Sequence, residues 1–123
     1  MNIDIPPSET VKSLYTTQTA CLQLTLKGDL KSTTTAALHR DVFSVLAHES
    51  ARTLQISVVE LDILAASMVD SLGLNLIIAV LKWSQQRGAK MRILVGTRGV
   101  YSTMLAVGLE RQAEVVTSDA NCR

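Results

Sequence analysis

Two hydrophobic periods alternate along this chain, and this alternation is the feature that most restricts its fold. In the segment 21–27, leucines alternate with polar residues, which is typical of a half-buried strand. Gly28 and Asp29 end that pattern, and the next segment repeats apolar residues at i, i+4, i+7 and i+8, which predicts one face of a helix. The apolar positions are Leu22, Leu24 and Leu26 in the strand and Leu38, Val42, Val45 and Leu46 in the helix.

The same alternation of strand and helix patterns continues towards the C-terminus. Strands separated by helices favour right-handed crossovers and a sheet with parallel neighbours. The sequence therefore predicts an α/β fold, with a four- or five-strand mixed sheet covered by helices. The further predicted strands are 10–17, 55–62, 91–95 and 114–117, and the further predicted helices are 70–86 and 100–111.

Length and charge limit the organisation and the partners of the chain. Its 123 residues are 47% hydrophobic, which suits one domain with a real core. We expect a flexible lead over 1–9, a single domain over 10–117 and a tail over 118–123. The 12 basic and 11 acidic residues give a net charge of +1, too little to attract nucleic acid or an anionic membrane by a long-range field.

Location and metal content are predicted from the termini, the cysteines and the histidines. The start MNIDIPPSE has no secretory signal pattern, and the longest apolar stretch is too short to span a bilayer, so we expect a cytoplasmic protein without membrane insertion. Cys21 and Cys122 form no disulfide framework and are expected to be reduced. His39 and His48 are nine residues apart on one predicted helix, a poor geometry for sharing a metal, so no metal or other cofactor is expected.

Two motifs resemble a known family. The run VVELDILAASMVDSLGLNLIIAVLKWSQQRGAKMRILVGT, residues 58–97, resembles the centre of STAS domains: a strand ending in aspartate, a loop, a D-S-x-G-L turn opening a helix, then glycine and a strand. The run LKGDL, residues 26–30, resembles the family's earlier G-[DE]-[LI] turn. The resemblance covers roughly residues 10–117. It implies a STAS-like single domain similar to bacterial anti-sigma factor antagonists, which regulate transcription by binding a GHKL-type anti-sigma factor or switch kinase.

The turn departs from the family pattern at one position. In antagonists of this family, the serine or threonine immediately before the glycine is phosphorylated by the GHKL-type kinase; here that position is Leu72. The preceding Ser71 is the remaining candidate for phosphorylation. Asp70 and Ser71 stand where a helix begins, so either can instead cap it. Gly73 is expected to permit a tight entry into the helix or a close backbone approach.

The helix after this turn carries two apolar stripes. One stripe is expected to pack on the sheet. The second is predicted to lie on nearly the opposite side and, together with Asp70, Ser71 and Gly73, to bind a partner or to form a homodimer, with Trp83 as anchor. Cover by a neighbouring helix or by the N-terminal segment is the alternative. The first stripe consists of Leu74, Ile77, Ile78 and Leu81, and the second of Leu72, Leu76, Ala79, Val80 and Trp83.

Function therefore has three candidate classes. The first is a non-catalytic regulatory domain that binds a protein partner, because the sequence has no G-x-S-x-G elbow and no recognisable catalytic pair. The second is a constitutive scaffold or adaptor subunit, as in a stressosome-like particle or a lipid-transport complex. The third is a small-ligand or nucleotide sensor that uses the 96–99 turn, although Gly96-Thr97-Arg98-Gly99 lacks the P-loop lysine and is also compatible with an ordinary turn.

Overall fold

The computed structural model describes residues 11–51 and 55–117, and it shows a five-stranded sheet with three α-helices. The predicted α/β class and mixed sheet are confirmed. The lead over 1–9, the tail over 118–123 and Cys122 lie outside the described residues. In chain order the elements are β1 (Val11–Thr16), β2 (Cys21–Leu26), α1 (Thr35–Ala51), β3 (Val58–Ile63), α2 (Ser71–Gln86), β4 (Lys90–Val95), α3 (Arg98–Ala106), a 3-10 turn (Leu109–Arg111) and β5 (Glu114–Thr117).

The strands follow their chain order across the sheet. β1 pairs with β2 as an antiparallel hairpin, and β2, β3, β4 and β5 are parallel neighbours. Because right-handed crossovers that always step in one direction place every helix on the same face, this order makes a two-layer molecule. Burial along the strands agrees: alternate residues of β2 and β3 are buried, and those between them are only partly covered. The buried set includes the predicted helix positions Leu38, Val42, Val45 and Leu46.

One predicted helix is interrupted. The apolar pattern predicted a single helix over 100–111, whereas α3 ends at Ala106 and a separate 3-10 turn begins at Leu109. Gly108 between them has φ +79°, in the left-handed region that ends helices and that glycine adopts without steric cost. The prediction of one continuous helix is therefore wrong.

The sheet face away from the helices carries a row of polar side chains, one from each of four strands. The Gln23 amide donates to Glu60 (Nε2 to Oε1, 2.7 Å), and Arg92 donates to Glu60 and to Glu114, each at 3.1 Å. The hydrogen bond that Arg92 donates to Glu60, and then the one that it donates to Glu114, raise the pKa of the Arg92 guanidinium. We call this row the polar ladder; its partners satisfy one another, so this face is compatible with water.

Candidate functional site

Loops that follow parallel strands meet at the carboxyl ends of those strands, the usual place for a site in an α/β sheet. Backbone hydrogen bonds join two of these loops, 27–34 after β2 and 64–70 after β3. Leu30 forms a parallel bridge with Val69. The Leu30 N–H donates to the Met68 carbonyl, and the Asp70 N–H donates to the Leu30 carbonyl, both at 2.9 Å. The segment before α2 is thereby held as a short extension of the sheet.

Asp29 fixes the second loop to the first. Its Oδ1 accepts from the Ser67 N–H at 2.7 Å, the Ser67 hydroxyl at 3.0 Å and the Met68 N–H at 3.2 Å. The Ser67 backbone bond, followed by the bond from its hydroxyl, holds the pKa of the Asp29 carboxyl below its ordinary value. The aspartate of the G-D-L turn is thus bound across two loops in its charged form.

Asp70 connects the loops to the start of α2. Its Oδ1 accepts from the Gly73 N–H at 3.0 Å, which makes it the N-cap, and its Oδ2 accepts from the Ser32 N–H at 2.7 Å. Of the two capping candidates, Asp70 is therefore the one that caps. Ser71 is the exposed first residue of the helix, and its phosphorylation stays a prediction.

Two glycines let backbones approach closely at this end of the molecule. A Cβ on Gly73 would lie 2.4 Å from the Leu30 carbonyl oxygen and 2.7 Å from the Leu30 Cβ. A Cβ on Gly96 would lie 2.3 Å from the Leu64 carbonyl oxygen. Of the two expectations for Gly73, the close backbone approach is the one observed. Gly96 does the same for the loop after β4.

Three large apolar side chains are exposed around this framework: Leu64 (42%), Met68 (51%) and Leu72 (45%). We call them the loop patch. Leu64 and Met68 lie in the 64–70 loop, and Leu72 lies in the first turn of α2. Polar bonds fix both segments, yet about half of each of these side chains is open to water. Sequence reasoning identified Leu72 and the loop before Asp70, but it did not single out Leu64 and Met68. The available signal was the presence of two large apolar residues in a loop between a strand and a capped helix.

The predicted second stripe of α2 is corrected by the burial of its members. Leu76 and Val80 have no exposed surface, so they belong to the core and cannot contact a partner. The buried face of α2 comprises Gly73, Leu76, Ile77, Val80, Leu81 and Ser84, so it includes residues of both predicted stripes. The reason is that α2 contacts α1 as well as β4, and the two neighbours together cover a broader face than the sheet alone.

The edges of that face are half-buried. Leu74 and Ile78 of the first stripe and Trp83 of the second are partly covered and pack against the core, and Ala79 is also half-buried. The Arg87 guanidinium lies 4.7 Å from the Trp83 ring centroid. Trp83 is thus already in contact within the domain, and of the second stripe only Leu72 is largely exposed.

The other sequence candidates lie apart from the loop patch. Thr97 caps α3 by accepting from the Val100 N–H at 3.1 Å, which is the ordinary role of such a turn. Cavities of about 620 and 500 Å³ lie near the opposite end of the strands, and Gly96 to Gly99 line neither of them.

The histidine candidate His39 stacks on Phe43, with the two ring centroids 4.7 Å apart. Over 11–51 and 55–117, no group of three His, Cys, Asp or Glu side chains is placed to hold a metal.

Among the described residues, no helix combines the length and the apolar character needed to cross a bilayer.

Comparison with known proteins gives one family match and several structural likenesses. A model of the STAS domain family matches residues 12–119. No curated protein matches the sequence significantly. A proposed anti-sigma factor antagonist from Thermotoga maritima superposes with a TM-score of 0.72 at 13% identity, over 91% of this chain and 90% of that one. An anti-sigma factor antagonist from Mycobacterium paratuberculosis superposes with a TM-score of 0.66 at 14% identity, over 93% and 90%. At these identities the two likenesses establish the fold.

Proposed function

This chain belongs to the STAS domain family, and from that premise we propose that it is a non-catalytic regulatory domain that binds a protein partner through the loop patch. The partner proposed is a GHKL-type anti-sigma factor or switch kinase, the partner class that the family resemblance implies. The structural likeness to anti-sigma factor antagonists supports this choice.

The observation that carries the proposal is the loop patch itself. Leu64, Met68 and Leu72 are between 42% and 51% exposed; the first two lie in the loop after β3 that is bonded to Asp29, and the third lies in the first turn of α2, which Asp70 caps. Complete burial of such a side chain contributes about 1.5–3 kcal/mol, so covering the exposed half contributes about 1 kcal/mol for each. Because the loops are already fixed, binding loses little conformational entropy there. Three side chains then contribute about 3 kcal/mol, roughly a hundredfold in affinity.

Leu72 also decides how binding is regulated. The family's phosphoacceptor position here has no hydroxyl, so phosphorylation at that position cannot add charge to the patch. We infer constitutive availability, with Ser71 as the one neighbouring hydroxyl that a kinase could use at the start of α2. A phosphate on Ser71 would lie at the positive end of the helix and beside the apolar Leu72.

The same feature favours a second candidate function. A domain whose docking surface cannot be switched off at Leu72 also suits a constitutive scaffold or adaptor in a larger assembly. The 96–99 turn caps α3 through Thr97, which agrees with the interpretation of an ordinary turn.

Binding is tested by titrating a panel of purified GHKL-type anti-sigma factors with the wild type, Leu72→Asp and Leu105→Asp. Leu105 is an exposed leucine of α3 outside the loop patch and is the matched control. We expect at least one wild-type complex, whose Kd rises at least ~10-fold in Leu72→Asp, because a charge would be desolvated in the interface. Leu105→Asp should bind like the wild type. Absence of binding across the panel, or equal effects of both substitutions, would contradict the proposal.

Regulation is tested by intact-mass spectrometry after incubation with the binding kinase and ATP. The wild type should stay unmodified, and Leu72→Ser should gain one phosphate. A phosphate on the wild type that is absent from Ser71→Ala would overturn constitutive availability and identify Ser71 as the switch.

A further inference from the structure

Three cations border the loop patch. Lys27 and Lys31 belong to the 27–34 loop after β2, and Arg98 is the first residue of α3, after β4. In the sheet, β3 lies between β2 and β4, so the 64–70 loop, which carries two of the three patch residues, lies between these cations. Lys27 and Arg98 are exposed, and Lys31 is half-buried. We call these three cations the basic rim.

Backbone contacts hold both sides of the basic rim beside the loop patch. The N–H of the residue before Lys31 donates to the Met68 carbonyl at 2.9 Å. Arg98 lies two residues after Gly96, whose backbone is so close to Leu64 that a Cβ would lie 2.3 Å from the Leu64 carbonyl oxygen. Each segment that carries a rim cation is therefore fixed next to a segment that carries a patch residue.

The carboxylates at this end of the sheet are engaged by backbone groups. Asp29 accepts from two N–H groups of the 64–70 loop, Asp62 accepts from the Leu64 N–H at 3.0 Å, and Asp70 caps α2. All three aspartates are half-buried. Hydrogen bonds to a charged carboxylate are among the stronger ones, so these short side chains are held against the backbone.

The rim cations have no such partners. Within the described part of the chain, no carboxylate lies within ion-pair distance of any of them. The pKa of Asp29 is lowered first by its bond from the Ser67 N–H and least by the charge of Lys31, so Lys31 acts on Asp29 without being paired with it. Three cations and three aspartates balance at long range. At contact distance, the cations are the groups left to pair.

We propose that the partner surface bound by the loop patch has an apolar centre bordered by carboxylates, which pair with the basic rim. The inference rests on the proposed function and adds the chemistry of the partner to it. Interfaces commonly combine an apolar centre with a polar border. Charges at such a border select the partner, because opposite charges pair and like charges repel at short distance. A partner with a basic border at this position is therefore rejected.

Charge reversal tests this pairing in a complex found with the panel of anti-sigma factors. Lys27→Glu combined with Arg98→Glu should raise the Kd at least ~10-fold at low salt, and the difference from the wild type should shrink as added salt screens the exposed charges. Lys90→Glu combined with Arg111→Glu is the matched control, because both residues are exposed cations near the opposite end of the parallel strands. The control should bind like the wild type, and circular dichroism checks that both variants are folded.

The outcomes separate the basic rim from the loop patch. A complex that is weakened by Leu72→Asp but tolerates the reversal of Lys27 and Arg98 overturns the acidic border and leaves the proposed function standing. Equal weakening by the rim reversal and by the control reversal also overturns it, because the effect would then not depend on where the charge lies.

Two synthetic peptides test the basic rim even if no anti-sigma factor binds. Both form amphipathic helices with the same leucine stripe, which is flanked by glutamates in one peptide and by lysines in the other. In NMR titrations, the glutamate peptide should shift the amide signals of Lys27, Leu72 and Arg98 and should bind at least ~5-fold more tightly than the lysine peptide. Lys27→Glu combined with Arg98→Glu should reverse that preference. Equal responses to the two peptides, including no response to either, contradict the proposal.

Discussion

Leu72 and Leu76 are one turn apart on α2, and their environments are opposite. Leu72 is 45% exposed, whereas Leu76 has no exposed surface. Residues separated by four positions lie on the same side of a helix, so periodicity assigns both leucines to one stripe. What separates them is their position along the helix axis. The first turn of α2 follows directly on the loops that join the sheet to the helix, whereas the next turn packs in the hydrophobic core.

This comparison shows that a helical wheel predicts on which side of the helix a side chain lies, but not whether that side chain is buried. A side chain on the core-facing side is buried only where another element lies opposite it. Gly73, between the two leucines, touches the Leu30 backbone and fixes the position of the first turn. The same helix can therefore provide core residues along its length and an exposed apolar residue at its start.

The largest expected effect comes from truncating the two leucines in parallel. Leu76→Ala removes a fully buried side chain and should lower the free energy of unfolding by about 2–5 kcal/mol. Leu72→Ala should change it by less than about 0.5 kcal/mol, because it removes surface that is already half open to water. Urea denaturation of both variants measures the difference. Similar losses of unfolding free energy in the two variants would show that position along the helix axis does not determine how much each leucine contributes to stability.

A smaller effect is expected where Gly73 sets the position of the first turn. Gly73→Ala would place a Cβ within 2.4 Å of the Leu30 carbonyl oxygen, and the backbone must move to admit it. We expect a loss of about 1–3 kcal/mol in thermal or chemical unfolding. Gly99→Ala is the matched control, since a Cβ there meets nothing within 4 Å and alanine favours the helix. A Gly73→Ala variant as stable as the wild type would mean that the close approach at Leu30 is not required.

The smallest effect concerns the polar contacts that hold the loops around Leu72. Because the folded pKa of Asp29 lies below its unfolded value, this group stabilises the fold above the unfolded pKa. That contribution is lost as the pH falls through the folded pKa. The difference in unfolding free energy between the wild type and Asp29→Asn should therefore shrink in acid.

The cause of the lowered Asp29 pKa is tested with Ser67→Ala, which removes the bond from the hydroxyl and keeps the bond from the backbone N–H. This variant should raise the pKa of Asp29 only partly, as carboxyl NMR titration would show. An unchanged Asp29 pKa in Ser67→Ala would contradict the assigned cause.

Local sequence patterns predicted most of the fold. The leucine alternation of β2, the apolar face of α1 and the D-S-x-G-L turn gave the elements and the family, because each depends on neighbouring residues. The break at Gly108 was missed, since the apolar spacing continues through it and a glycine inside a helical pattern is often tolerated.

The site was predicted less completely. Asp70 and Leu72 were identified from the turn. The bonds that Asp29 accepts from Ser67 and that Asp70 accepts from Ser32 join residues 38 positions apart. Such contacts depend on how two loops meet in space. The burial of Leu76 and Val80 likewise depends on the packing of α1 beside α2, which the spacing within one helix does not reveal.

The chain order of the strands also has a consequence for biosynthesis. Each strand pairs with the strand that precedes it in the sequence, so none of these strands has to be inserted between two strands that have already paired. During translation, the β1–β2 hairpin can form first, and each following helix and strand can add to an edge that already exists. The sheet can thus grow in the direction in which the ribosome delivers the chain, with short loop closures at every step.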